Sequence, residues 1–222
     1  MIPILYEDTS ILVCRKPAGI LSQTGPGPNL PDLLAEETGR AVYPVHRLDR
    51  DTGGVMVYAR DRTAAAALSG AIRWGELQKE YVCLVHGVPE PSEGVYRDLL
   101  LHDRSRNKSF VVTRMRGGVR EASLSYRVIA PDADRSLVRV RLHTGRTHQI
   151  RVQFASRGTP LLGDGKYGGG SGPLALWSCL LAFPHPKDQK PLQFLALPEG
   201  GYWEPFQPQM QADFQAIQET GG

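Results

Sequence analysis

The sequence predicts an α+β fold, a single domain built on a large, mostly antiparallel mixed sheet flanked by helices and loops. Three observations carry this. Short strand-like runs dominate the order of elements, with a few helical stretches between them. Pro and Gly number 17 and 24, which favours a turn-rich, strand-containing fold over a helical bundle. No internal repeat and no linker divides the 222 residues, so residues 1–222 read as one domain with a polar, frayed tail from about 207.

The elements follow in order. ILYEDTSILVCRKPAG reads as two short strands around a Glu-Asp-Thr-Ser turn, ended by Pro17 and Gly19. Residues 22–31 are rich in Gly, Pro, Ser and Asn and read as a loop. A short helix over 31–37 stops at Gly39. The polar stretch His46–Gly54 is a loop, and Val55–Ala59 a strand. Asp61 caps a helix, RTAAAALSGAIRW, with Ala64, Ala65, Leu68 and Ile72 on one stripe and Gly75 as its close. QKEYVCLVHG is a buried strand with Lys79, Tyr81, Cys83 and Val85 on one face. Residues 97–130 form a basic strand-and-loop region. A strand over Leu137–Thr144 turns at Gly145 into a helix from Thr147, with Ile150 and Phe154 facing the core and His148 and Arg151 on another face. A glycine-rich loop, GTPLLGDGKYGGGSG, leads to a helix or strand over Ala175–Phe183, a turn at Pro184–Pro186 and a late strand, QFLALP.

Composition excludes several classes. No apolar run approaches the ~20 residues of a membrane span, and the first residues lack the features of a secretion signal; a cytoplasmic protein is expected. Cys14, Cys83 and Cys179 are odd in number and contain no CxxC pair, which points to buried free thiols rather than zinc. The six histidines show no metal spacing, so a metal-free protein without cofactor is expected. The glycine-rich loop fits neither GxxxxGK[ST] nor GxGxxG, because Tyr167 follows Lys166. No GxSxG elbow appears.

Two charged features remain. Residues 97–120 hold seven basic side chains (Arg97, Arg104, Arg106, Lys108, Arg114, Arg116 and Arg120) against Asp98 and Asp103, a local excess above the +3 of the whole chain. Such a field attracts phosphate. Asp49 lies in HRLDRDTGG with Arg47, Arg50 and Asp51 around it. A loop carboxylate among arginines stays ionised and can serve as nucleophile or base. A surface ion-pair loop is the plain alternative.

His46-Arg47-Leu48-Asp49-Arg50-Asp51-Thr52-Gly53-Gly54 closely resembles the HRLDxxTSG signature of pseudouridine synthases of the RluA type, which modify ribosomal and transfer RNA. The opening from Leu5-Tyr6-Glu7-Asp8 to Lys16-Pro17-Ala18-Gly19, the KxY-like Lys79-Glu80-Tyr81, the GRTHQIR of Gly145–Arg151 and the GDxxYG-like PLLGDGKYG follow in family order.

The resemblance implies a pseudouridine synthase fold and an enzyme that breaks the uracil–ribose C–N bond of a uridine, turns the base and rejoins it through C5. No metal or cofactor is implied. Asp49 matches the catalytic aspartate, as attacker of C1′ or as base at C2′. Tyr81 matches the tyrosine against the base. Arg151 matches the arginine paired with the aspartate, with Arg146 as rival. Arg47 and His148 match groups handling the flipped nucleotide or its phosphates, His46, Lys79 and Arg146 are further candidate RNA contacts, and flipping is expected because the reacting atoms are inaccessible in a stack. The basic region, with Arg104, Arg106 and Lys108, is the candidate RNA contact. Structured RNA, ribosomal or transfer, is the expected partner of a monomer. Gly54 is read as standing where the signature has Ser, and the small N-terminal RNA-binding domain of some relatives is read as absent. An RNA-binding module without chemistry and a nucleosidase acting on free nucleosides are the competing readings.

Overall fold

The computed structural model describes residues 1–220, with side chains through Gln215. It contains eleven strands, four α-helices and one 3-10 helix among the described residues. Most strand pairings are antiparallel. The chain forms two compact units: Met1–Glu80 with Trp177–Ala196, and Tyr81–Leu176 with the stretch from Leu197.

In the first unit, β1 (Ile4–Glu7) pairs with β2 (Ile11–Lys16), and β2 with β4 (Gly53–Ala59). β3 (Tyr43–Pro44) also lies against β4. β10 (Leu176–Pro184) runs parallel to β4 through Trp177–Gly53 and Ser178–Gly54, and β11 (Pro191–Leu195) pairs with β10. Pairing on both sides settles the helix-or-strand ambiguity over Ala175–Phe183 as strand. Helix α1 (Leu30–Thr38) starts one residue before the expected 31, because Asn29 accepts the backbone N–H of Asp32 and caps it. Helix α2 (Arg62–Trp74) has the expected caps: the Asp61 side chain accepts from the Ala64 N–H, and Gly75 takes the left-handed conformation. Its stripe of Ala64, Leu68 and Ala71 closes over Ile11, Val13, Val55 and Val57, all fully or nearly fully buried. This apolar burial carries the stability of the unit.

In the second unit the order is β5 (Gln78–His86), β9 (Arg135–Leu142), β8 (Val119–Asp132), β6 (Glu93–Asp103) and β7 (Lys108–Val112). The basic strand-and-loop region is thus two long strands and a short one with turns between them. Helix α3 (Gln149–Ala155) begins two residues after the expected Thr147, since His148 stands before it at φ +54. Ile150 and Phe154 are buried as expected. Phe154 meets the rings of Tyr96 and Tyr126 at 5.2 and 5.6 Å between centroids, within the range of favourable aromatic pairs. A 3-10 helix (Gly201–Phe206) precedes α4 (Gln207–Thr220). The tail expected to fray is therefore helical through Thr220, its last two residues lying outside those described, and it buries Met210 and Phe214. Cys14, Cys83 and Cys179 are buried.

Candidate active site

Asp49 sits in a tight turn whose Thr52 N–H donates to the Asp49 carbonyl at 3.1 Å. Its two neighbours are held from below. On one side, the Ser22 hydroxyl donates to the Leu48 carbonyl at 2.8 Å and accepts the Leu48 N–H at 3.2 Å, while the Tyr58 hydroxyl donates to the Ser22 carbonyl at 2.7 Å. On the other, the Arg50 carbonyl accepts from the Gly19 N–H at 2.9 Å, and Arg50 Nε donates to the Gly19 carbonyl at 3.1 Å. Lys16, the lysine of the KPxG stretch, is fully buried. Its Nζ donates to the carbonyls of Pro17, Arg50 and Thr52 at 3.0, 2.9 and 2.8 Å. One ammonium thus ties three carbonyls of this turn together, the Arg50 carbonyl sharing it with the Gly19 N–H. Burial pushes this lysine down to about 8, against the pull of Asp51 and Asp49.

His46 serves the same loop. Its Nε2 accepts the Val57 N–H at 3.2 Å. Burial, with the Lys79 charge adding to it, pushes His46 down to about 3. The ring is therefore neutral with its proton on Nδ1, a buried atom without a hydrogen-bond partner among the described residues. Lys79 is itself pushed down by burial. Arg47 is exposed.

The glycines after Thr52 correct one reading. Counted letter by letter, the Ser of HRLDxxTSG falls on Gly53 and its closing Gly on Gly54. Gly54 has φ +122, and a Cβ there would lie 2.6 Å from the Ser178 nitrogen of β10. No side chain fits, so Gly54 is the required glycine of the motif. At Gly53 the obstacle is a side chain: a Cβ would lie 2.7 Å from Cε3 of Trp177. The indole covers the place a serine would take, and its Nε1 donates to the Ala196 carbonyl at 2.7 Å.

The second unit gathers the remaining expected residues. Tyr81 is buried on β5. Arg151 is buried and makes a two-pronged pair with Asp164, Nε to Oδ2 at 2.7 Å and an Nη to Oδ1 at 2.8 Å. Such a fork fixes the guanidinium plane. Asp164 Oδ1 also accepts the N–H groups of Lys166 and Tyr167 at 3.2 and 3.3 Å. The GDGKY stretch is thus folded around the carboxylate that holds Arg151. His148 is buried, with Nδ1 3.0 Å from the Tyr167 hydroxyl. Arg146 is exposed, and its Nε donates to the Glu121 carbonyl at 2.9 Å.

The hairpin of β6 and β7 presents Arg104 and Arg106 to solvent, with Lys108 half-buried. Asp103 organises the tip by accepting the Ser105 and Arg106 N–H groups at 2.9 and 3.2 Å. Arg114, Arg116 and Arg120 are also exposed. Lys16, Ser22, Tyr58, Asp164 and Tyr167 were not singled out from sequence. Their contacts run largely to backbone groups distant in the chain, which leaves no spacing pattern; only the KPxG and GDxxYG stretches pointed near them.

Among the described residues, no group of three or more His, Cys, Asp or Glu side chains is placed to hold a metal ion, and no helix is long and apolar enough to cross a membrane.

Residues 10–156 match the family model described as RNA pseudouridylate synthase. The chain is 39% identical over 178 residues to the uncharacterized RNA pseudouridine synthase YhcT of Bacillus subtilis, covering 76% of this chain and 58% of that protein. It is 34% identical to ribosomal large subunit pseudouridine synthase C of Buchnera aphidicola subsp. Baizongia pistaciae, over 74% of this chain and 53% of that one. Its identity to ribosomal large subunit pseudouridine synthase D of Xanthomonas campestris is 37%, over 75% and 51%. The chain therefore spans little more than half the length of these relatives. Among solved structures, human RNA pseudouridylate synthase domain containing 4 superposes with a TM-score of 0.75 at 26% identity, covering 89% of this chain and 88% of that one.

Proposed function

The chain belongs to the RNA pseudouridylate synthase family, and from that premise we propose that it isomerises particular uridines of a structured RNA to pseudouridine, with Asp49 as the catalytic carboxylate. The observation that carries this reading is the turn at Asp49, fixed from both sides by Ser22 and by the buried ammonium of Lys16. A carboxylate that must meet one sugar carbon gains from being held before the substrate arrives. Asp49 attacks C1′, forming an ester bond that C5 of the turned base displaces on rejoining, or takes the C2′ proton and returns it in that same step. In both routes the C1′–N1 bond breaks, the C1′–C5 bond forms, C5 loses its proton and N1 gains one, and no co-reactant enters.

The remaining roles follow the resemblance. Tyr81 lies against the base and assists loss of the C5 proton. Arg151 orients the carboxylate, with Arg146 second in rank for that task. His46, Arg47, Lys79 and His148 handle the flipped nucleotide and its phosphates. Arg104, Arg106 and Lys108 bind the RNA backbone. Ribosomal RNA is the favoured substrate class, since two of the relatives are named as large ribosomal subunit synthases. The protein acts in the cytoplasm as a monomer, with residues 1–222 as one catalytic domain.

The test is release of tritium from RNA labelled at uridine C5 in cells lacking the protein. Wild type is expected to release it, and Asp49→Ala to lose at least about a thousandfold of that rate while still binding RNA. Equal release by the variant would remove Asp49 from the chemistry. RNA binding with no release by either protein would favour the binding-module reading, and free uracil as product would favour the nucleosidase.

A further inference from the structure

Tyr167 lies in the glycine-rich loop, outside every role assigned above, yet four functional features of the second unit converge on it. Its hydroxyl accepts the Ser109 N–H of β7 at 2.7 Å. The same oxygen lies 3.0 Å from His148 Nδ1. The Lys108 ammonium and the Arg151 guanidinium carbon stand 5.1 and 5.3 Å from the centre of its ring, within cation–π range. Its own N–H is fixed by Asp164, the carboxylate that forks onto Arg151. Next to it, Lys166 Nζ donates to the Asn107 carbonyl at the hairpin tip at 2.8 Å.

The phenol is pushed up by burial and stays protonated at neutral pH. Its oxygen accepts from Ser109 and shares one further hydrogen bond with His148 Nδ1, donated by the phenol when the imidazole proton sits on Nε2 and by the imidazole when it sits on Nδ1. A second strand of bonds runs beside it: the Ser109 hydroxyl donates to the Thr147 carbonyl at 2.6 Å and lies 3.3 Å from His102 Nδ1. The basic hairpin is thereby tied to the GRTHQIR segment at both backbone and side chain.

We propose that Tyr167 is a positioning residue which docks the basic β6–β7 hairpin onto the segment carrying His148 and Arg151, so that RNA gripped by the hairpin is held in a fixed place relative to Arg151. The inference rests on the isomerase reading and on the hairpin as RNA contact. A ring without the hydroxyl keeps the cation–π contacts and the packing against Leu100, Ala122 and Val152, but releases Ser109 and His148.

Tyr167→Phe tests this with three readouts. In the free protein, hydrogen exchange of the Ser109 amide is expected to quicken at least tenfold in the variant. Long-range 15N spectra are expected to show His148 held in a single tautomer in wild type and to lose that preference in the variant. In the tritium assay kcat is expected to fall about tenfold, with RNA affinity within twofold because the hairpin's charges remain. A His148 tautomer balance that is the same in both proteins overturns the hydroxyl contact and the proposal with it. Faster Ser109 exchange with unchanged kcat leaves a structural tie only and overturns the positioning role while the isomerase stands. An affinity loss that accounts for the whole activity loss overturns it equally. Wild type that releases no tritium overturns the isomerase reading and the positioning role with it.

Discussion

Lys16 shows how much the placement of one carboxylate depends on a residue that never needs to touch substrate. Its buried ammonium holds the carbonyls on either side of Asp51. Lys16→Met keeps the stem and removes all three donors, and we expect a loss of about 2–4 kcal/mol in urea unfolding, since the Pro17 and Thr52 carbonyls lose this donor while the Arg50 carbonyl keeps the Gly19 N–H. The pH dependence has a definite sign. Lys16 is brought to about 8 in the fold from an ordinary 10.5, so between those values the unfolded chain holds more protons and this group's contribution to stability rises with pH. Wild type is expected to gain on Lys16→Met from pH 8 to about 10.5; a flat difference would remove Lys16 as the titrating group. Asp49 itself was legible in the sequence because its neighbours form a motif. Lys16 and Ser22 were not, because a bond to a backbone carbonyl far along the chain constrains no neighbouring letters. His46 was expected beside the nucleotide, and its bond to the Val57 N–H adds a task inside the loop.

At the scale of elements, the junction of β4 and β10 decides how the loop ends. Trp177 stands across from Gly53 in the pairing register, and its ring covers that glycine, a cross-strand arrangement that shields backbone no side chain protects. Gly53→Ser is expected to cost about 1–3 kcal/mol through overpacking. The same change in a Trp177→Leu background is expected to cost less, with a coupling above about 0.5 kcal/mol in a double-mutant cycle followed by urea unfolding. Additive costs would mean that the two positions do not share the space. Strands and helices with clean periodicity, α2 above all, were readable in advance with their caps. Helix α4 was overlooked although Met210, Phe214 and Ile217 recur at i, i+4 and i+7, because polar residues dominate the stretch around them; Met210 and Phe214 are buried. It is held by tertiary contacts, with Arg139 pairing with Asp213 at 3.1 Å and standing over the Phe214 ring at 4.7 Å.

Over the whole molecule a small net charge conceals an uneven distribution. The chain carries +3, while the stretch from Arg97 to Arg120 holds seven basic residues against two acids. Replacing Arg104, Arg106 and Lys108 with Gln is expected to weaken RNA binding and to lower the slope of log Kd against log salt by roughly 2–3, as about 0.7–0.9 is lost per phosphate contact. An unchanged slope would place the RNA elsewhere. The α+β class and the family motifs were legible because each is written in contiguous residues. The division into two compact units was not, since the first is closed by β10 and β11, which return only after the whole stretch Tyr81–Leu176.

The ring over Gly53 also limits what this loop can carry. While the indole stands, a Cβ at position 53 would lie 2.7 Å from Cε3 of Trp177, so a hydroxyl there requires a smaller residue at position 177. The two positions are tenants of one volume, and each sets the size allowed to the other.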